Sequence, residues 1–529
     1  MKKYVRMFVL VLSLCLLALA LVGCSVESGG GTDSSSAKDT FTFAQGADPR
    51  GLDPAYVDDG ESAKVMCNVY EGLTCYADDS TEVLPCLATE WTLSDDGLVY
   101  TFKLREGVKF QDGTDFNAEA VKFNFDRQID YDKRTWEDAP YADMPYAQFV
   151  FGTVAEVNVI DDYTLEIKLE QPNTAFLANL AMTLAAPIAS PAAMNNDPNS
   201  TALMEKPVGT GPYKFESWSK EENVQLTAYD DYWGEKALTK NVIVRIIPDN
   251  AARVMALNNG EVDFCDGIDA TLVDQIKSGG SELFEADGMN INYMAFNTTS
   301  DLFKNQDARI AVAQAINVPE LVDSLYQGYA NPATTILPTF VPGYSADVKQ
   351  IDYDLDAAKV GIEKAGIKEI KMMAYSNPRP YNPATGETLA TAIAGYLEKV
   401  GVKCTIDKYD WTTYKEKVQT GDYDICFYGW TGDNGDPDNF LNLLSDPSPA
   451  MNVARFKDAT YDKMIKEALA LPNGDERNAK YAECEKYVAE RAAWRLISHG
   501  KVLAGYRPGV SGFIFHQTGS LFCSKVVVK

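Results

Sequence analysis

Three apolar runs, Ile370-Lys371-Met372-Met373-Ala374-Tyr375, Val402-Lys403-Cys404-Thr405-Ile406 and Tyr423-Asp424-Ile425-Cys426-Phe427-Tyr428-Gly429-Trp430, stand apart from one another by helix-like stretches. Ile370, Met372 and Ala374 alternate with the period of a strand. Leu389, Ile393, Leu397 and Val400 then recur at helical spacing until Gly401, a residue that stops helices. Val402, Cys404 and Ile406 alternate again, residues 412–420 read as a short helix closed by Gly421, and residues 423–430 read as a third strand. Strand, helix, strand, helix, strand predicts a parallel α/β layer, because each parallel pairing needs a crossover.

Upstream the rhythm differs. Ala155, Val157 and Val159, then Leu165, Ile167 and Leu169, alternate on either side of Asp161-Asp162-Tyr163, which predicts a β-hairpin and an antiparallel character for that half. The length is several times that of one core, so about two or three domains are expected.

In open α/β sheets ligands lie beyond the carboxyl ends of the strands. Two loops take that position: Asn377-Pro378-Arg379-Pro380-Tyr381-Asn382-Pro383, and Gly429-Trp430-Thr431-Gly432-Asp433-Asn434-Gly435-Asp436-Pro437-Asp438-Asn439-Phe440. Both should open onto the same edge. The first holds one guanidinium between prolines that restrict its backbone, a setting suited to bidentate binding of a carboxylate. The second holds carboxylates, an indole and glycines that permit close backbone approach. A cation and an anion on one rim match a zwitterion. The acidic spacing of the second loop does not fit an EF-hand, and neither a metal nor a cofactor is expected.

At the amino terminus Lys2, Lys3 and Arg6 precede an apolar run from Met7 to Val22 that ends in Leu21-Val22-Gly23-Cys24, the order of a secretory signal. The tetrapeptide resembles the bacterial lipobox, which implies a lipid on Cys24, and residues 25–39 are Ser-, Gly- and Asp-rich like a flexible tether. There are 76 acidic and 48 basic residues, giving a net charge of −28 that repels a phosphate backbone, so no nucleic-acid partner is expected. The chain has ten cysteines, no CxxC pair among them, and Cys404 and Cys426 read as thiols buried in strands. His499 and His516 are the only histidines, and no G-x-S-x-G, P-loop or G-x-G-x-x-G segment occurs, so an enzyme is not expected.

Several ordered segments are similar to those of one family. They are Gly51-Leu52-Asp53-Pro54, Val69-Tyr70-Glu71-Gly72-Leu73, the run from Tyr100 to Phe110, Pro207-Val208-Gly209-Thr210-Gly211-Pro212-Tyr213, Asp231-Tyr232-Trp233-Gly234 and Gly260-Glu261-Val262-Asp263. Over nearly the whole mature length the sequence resembles the extracellular solute-binding proteins of family 5, the peptide and nickel class of receptors for bacterial ABC importers. The loops around Arg379 and Asp433 are most similar to those of dipeptide-binding proteins.

The resemblance implies a two-lobed α/β fold of the periplasmic-binding-protein kind (type II, cluster C), with mixed sheets, a two-strand hinge and an extra subdomain in the first lobe. Residues 1–23 would be signal peptide and 24–39 tether; 40–288 with 501–529 would form lobe one, including a subdomain at about 76–200, and 289–500 lobe two. It implies that Arg379 pairs with a peptide carboxylate and Asp433 with its α-ammonium, while Trp430 and Tyr381 shape side-chain space. Asp59 and Gly60 fall on a segment that faces ligand in relatives, although Asp58-Asp59-Gly60-Glu61-Ser62 is more acidic here. The implied role is that of a monomeric lipoprotein on the outer face of the cell membrane that passes a short peptide, dipeptides favoured, to a permease and ATPase. Binding of a nickel chelate or haem on the same fold, or peptide sensing without import, are the alternatives.

Overall fold

The structure is a computed structural model describing residues 38–129 and 143–529; the signal segment, Cys24 and most of the tether lie outside the described residues. The predicted α/β layer is present. Strand Glu369–Tyr375 runs parallel to Lys403–Tyr409, with Ile370 opposite Cys404 and Met372 opposite Ile406, and parallel to Ile425–Thr431. Helix Gly386–Glu398 starts at Thr385, whose hydroxyl accepts the Thr388 N–H at 3.2 Å, and buries Leu389, Ile393 and Leu397. It ends before Val400, and Gly401 follows at φ +79°. Asp410 caps the second helix, Trp411–Thr420, by accepting the Thr413 N–H at 3.2 Å.

Cys426 is buried as expected, but Cys404 is only half-buried because its strand is the outer edge of the sheet. All eight cysteines of the described residues are free thiols. On the other side of Ile425–Thr431 lies Asn290–Phe296, buried at every position and antiparallel to both of its neighbours, Ile425–Thr431 and Trp494–Tyr506. Burial on both faces fits its apolar run from Tyr293 to Phe296, and the two buried polar side chains before it are hydrogen-bonded, Asn290 to the Gly500 carbonyl and Asn292 to the Tyr326 hydroxyl.

The first half is less antiparallel than the sequence predicts. Val154–Asp161 and Thr164–Leu169 do form the expected hairpin, within an antiparallel four-stranded sheet completed by Val99–Leu104 and Ala88–Leu93. That sheet closes a separate core around Phe102, Phe110, Leu165, Ile167 and Phe176. The main sheet is mixed, because Thr40–Gln45 lies inside it and pairs in parallel with Asn241–Ile246 and Phe264–Cys265, strands reached through long intervening segments.

One strand joins the two halves. In the 13-residue strand Trp494–Tyr506, the first part pairs with Asn290–Phe296 and the second with Glu282–Asp287. Between these two pairings the chain passes near Gly288 and near Gly500, and the two passages are bonded to each other. The Asn290 side chain donates Nδ2–H to the Gly500 carbonyl at 2.9 Å and accepts the Gly500 N–H at 2.7 Å, while the Gly288 N–H reaches the same carbonyl at 3.1 Å. A Cβ on Gly288 would lie 2.1 Å from Asn290 Nδ2 and 2.3 Å from the Gly500 oxygen, so only glycine fits this pivot. The result is a two-lobed α/β protein with a two-strand hinge and an inserted antiparallel subdomain.

Candidate ligand-binding site

The loop after Glu369–Tyr375 is a tight turn in which Arg379 and Asn382 exchange backbone hydrogen bonds of 3.0 and 2.8 Å. It holds the Arg379 guanidinium 4.2 Å over the ring of Trp411. Among the described residues no carboxylate pairs with that guanidinium, and its Nε is buried without a hydrogen-bond partner. An unneutralised cation with one face covered by an indole is poised for an anion arriving from outside the chain. Tyr381, from the same turn, is 5% exposed and its ring lies against Gly429, where a Cβ would approach it to 2.2 Å. The first loop thus rests on the strand that feeds the second.

In the second loop Asn439 is the organiser. Its Oδ1 accepts the Trp430 indole N–H at 2.9 Å and the Asp433 backbone N–H at 3.0 Å, and its Nδ2 donates to Asp433 Oδ2 at 3.1 Å. The Tyr146 hydroxyl, from the inserted subdomain of the other lobe, donates to Asp433 Oδ1 at 2.8 Å. Burial raises the Asp433 carboxyl to about 6, against the opposing pull of the Asn439 and Tyr146 hydrogen bonds. Both of those donors are neutral, so a cation at this carboxylate would relieve the penalty.

The rest of the loop is fixed from three sides. Arg477 grips Asp436, the Asn434 side chain donates to Asn179 Oδ1 across the lobes at 2.6 Å, and the Gly432 N–H donates to the Met289 carbonyl at the hinge at 2.7 Å. Burial, with the Asp436 charge adding to it, raises Asp438 to about 7, while Arg477 and Tyr481 oppose the shift.

Of the expected residues, Tyr381, Trp430 and Asp433 form one connected rim with Arg379, linked through Gly429 and Asn439. Asp59 caps helix Gly60–Met66, accepting the Ser62 N–H at 2.9 Å and the Ser62 hydroxyl at 2.8 Å, and burial raises its carboxyl. Gly60 is exposed. Trp411, Tyr146, Asn439 and Arg477 were not anticipated. Trp411 had a usable signal, since it follows Lys403–Tyr409 and so lies at the carboxyl end of a parallel strand.

A hinged pair of α/β lobes with a charged rim beside the hinge is the architecture of a solute receptor. The family model for bacterial extracellular solute-binding proteins, family 5, matches residues 82–452, and the chain belongs to that family. It is 30% identical to heme-binding protein A of Haemophilus influenzae, over 95% of this chain and 96% of that one. It is 29% identical to the dipeptide-binding protein of Escherichia coli K12, over 97% and 98% of the two chains. Among solved structures, the periplasmic binding protein DppA of Helicobacter pylori in complex with the peptide STSA superposes with a TM-score of 0.79 at 30% identity, covering 92% of this chain and 98% of that one.

Proposed function

We propose that this chain is the substrate-binding lipoprotein of an ABC peptide importer, capturing a short peptide, dipeptides favoured, between its lobes and delivering it to a membrane permease. The observation that carries this reading is the Arg379 guanidinium, stacked on Trp411 without an anionic partner among the described residues, on the same rim as the buried Asp433 carboxylate. Arg379 binds the peptide carboxylate and Asp433 the α-ammonium, each through a charge-assisted bond worth about 1.5–3 kcal/mol. Two extended residues span about 7 Å, so fixing both ends favours short ligands. Trp430 and Tyr381 bound the side-chain space, and Asp59 and Gly60 supply the first lobe's edge of the cleft.

Residues 40–288 with 501–529 act as lobe one, with the subdomain at about 76–200, and 289–500 as lobe two. Cys24, after removal of residues 1–23, anchors the monomer to the outer face of the membrane, and residues 24–39 are its tether. No turnover of bound peptide is part of this function.

The test is calorimetric titration of residues 40–529 with a free dipeptide, its amidated and N-acetylated forms, and a pentapeptide. Tight binding of the free dipeptide, lost in Arg379→Ala and Asp433→Ala, supports the reading; equal binding of the blocked forms sinks it. The 30% identity to a haem-binding protein favours a second reading, haem as ligand, which a Soret-band titration with hemin tests directly.

A further inference from the structure

Two cysteines meet across a short hairpin of the first half. Thr74–Tyr76 pairs antiparallel with Val83–Pro85, Cys75 standing opposite Leu84, and the Cys86 N–H carries the pairing on to the Leu73 carbonyl at 3.2 Å. Side chains alternate across a strand, so Cys75, Leu84 and Cys86 share one face and Cys86 is the diagonal neighbour of Cys75. The Cys75 Sγ lies 3.8 Å from the Pro85 carbonyl oxygen, on the peptide group that precedes Cys86, and the two thiols are hydrogen-bonded to each other. Thiols in such contact need only small side-chain rotations to reach bonding geometry. Their surroundings differ: Cys75 is half-buried and Cys86 is buried. The hydrogen bond from Cys86 holds the Cys75 thiol below its ordinary value, while that bond and burial push Cys86 well above it. Cys67 and Cys523 also share an acceptor, the Leu521 carbonyl, at 3.3 and 3.6 Å, but both are buried and give a reagent no entry.

We propose that Cys75 and Cys86 are joined by a disulfide in the exported protein, Cys75 being the attacking thiol. This rests on the chain reaching an oxidising compartment. The co-reactant is a disulfide, R–S–S–R. The Cys75 thiolate attacks one of its sulfurs, forming a mixed disulfide and releasing RS−; the Cys86 sulfur then attacks the Cys75 Sγ and expels the second RS−. The two protons of the protein thiols leave on the two RSH formed, and the reagent's S–S bond takes the two electrons. The bridge closes the base of the turn between the two strands. Tyr76 at that base stacks on His516 at 5.5 Å, and His516 Nε2 lies 3.0 Å from the Ser80 carbonyl oxygen within the turn. The tip of the turn meets the loop that carries Asp433, since a Cβ on Gly435 would lie 2.2 Å from Thr81 Oγ1. The disulfide therefore stiffens a support of that loop.

The experiment equilibrates residues 25–529, purified reduced, with oxidised glutathione, alkylates the remaining thiols and maps the peptides without reduction. The chain should lose two of its eight thiols, recovered as a peptide pair linking Cys75 to Cys86. Dithiothreitol should lower the urea midpoint of the bridged protein and leave that of the Cys75→Ser, Cys86→Ser double variant unchanged. Cys86→Ser should trap Cys75 as a mixed glutathione disulfide, whereas Cys75→Ser should leave Cys86 a thiol. A different pairing, or full alkylation of both cysteines, overturns the proposal and leaves the peptide reading standing. The chain is also alkylated and mapped in intact cells, where the same link is expected. If it is a dithiol there although the purified chain bridges, labelling of its lysines by a membrane-impermeant reagent overturns the proposal for the exported protein; protection from that label shows instead that export failed, and the importer reading falls with it.

Discussion

The Arg477 guanidinium grips both oxygens of Asp436, with Nη1 to Oδ2 and Nη2 to Oδ1 at 2.9 Å each, inside a helix-to-loop contact where Arg477 is 1% exposed. This clamp ties the loop carrying Asp433 to helix Asp475–Ala489. Removing only the cation leaves a buried carboxylate unpaired, so Arg477→Leu should destabilise the fold by about 3–5 kcal/mol in urea titrations. Pairing it with Asp436→Asn should restore most of that loss.

Asp433 gives binding a pH dependence with a defined sign. Burial raises its carboxyl to about 6, and an ammonium stabilises the ionised form. Affinity for a free dipeptide should therefore decline as pH falls through about 6, and binding near that pH should release a proton. Calorimetry in buffers of different ionisation enthalpy reads the proton directly, and Asp433→Asn should abolish both effects.

Glu485 separates stability from binding. It is 1% exposed, its Oε1 accepts the Ile336 and Leu337 N–H groups, and burial raises its carboxyl to about 8. Between about pH 4.5 and 8 the folded state holds a proton that the unfolded chain has lost, so this group makes stability fall as pH rises through that window. Glu485→Gln, which keeps an acceptor oxygen, should show a flatter profile and gain on wild type toward pH 9 in urea unfolding.

Gly429 and Trp411 test the support of the first loop. A methyl at 429 would strike the Tyr381 ring, and Gly429→Ala should cost about 1–3 kcal/mol of stability while weakening binding through Arg379. Trp411→Ala removes the face under the guanidinium and should reduce affinity for a free dipeptide by roughly 3- to 30-fold, with little change for the C-terminal amide.

Sequence was informative where the signal is local. Alternation at Ile370, Met372 and Ala374 and spacing at Leu389, Ile393 and Leu397 announced elements that the structure contains, and the strand-end rule selected the two loops. The mixed sheet of the first lobe was hidden, because the parallel partners Phe43 and Phe264 are separated by most of that lobe and share no pattern. Tyr146 was hidden for the same reason, since its partner lies 287 residues away. Asp59 carried a local signal of another kind: an Asp three residues before Ser62 is also what a helix cap looks like.

The shared strand Trp494–Tyr506 also dictates an order of assembly. Every strand of the second lobe's sheet, from Asn290 onward, is made without interruption, and its core can condense once Trp494 to Gly500 emerge. The first lobe has to wait, because Phe264 and Glu282–Asp287 remain open edges until the segment beyond Lys501 pairs with them. A chain stalled near residue 500 would thus present a nearly finished lobe beside an unpaired edge, the species on which a holding chaperone would act.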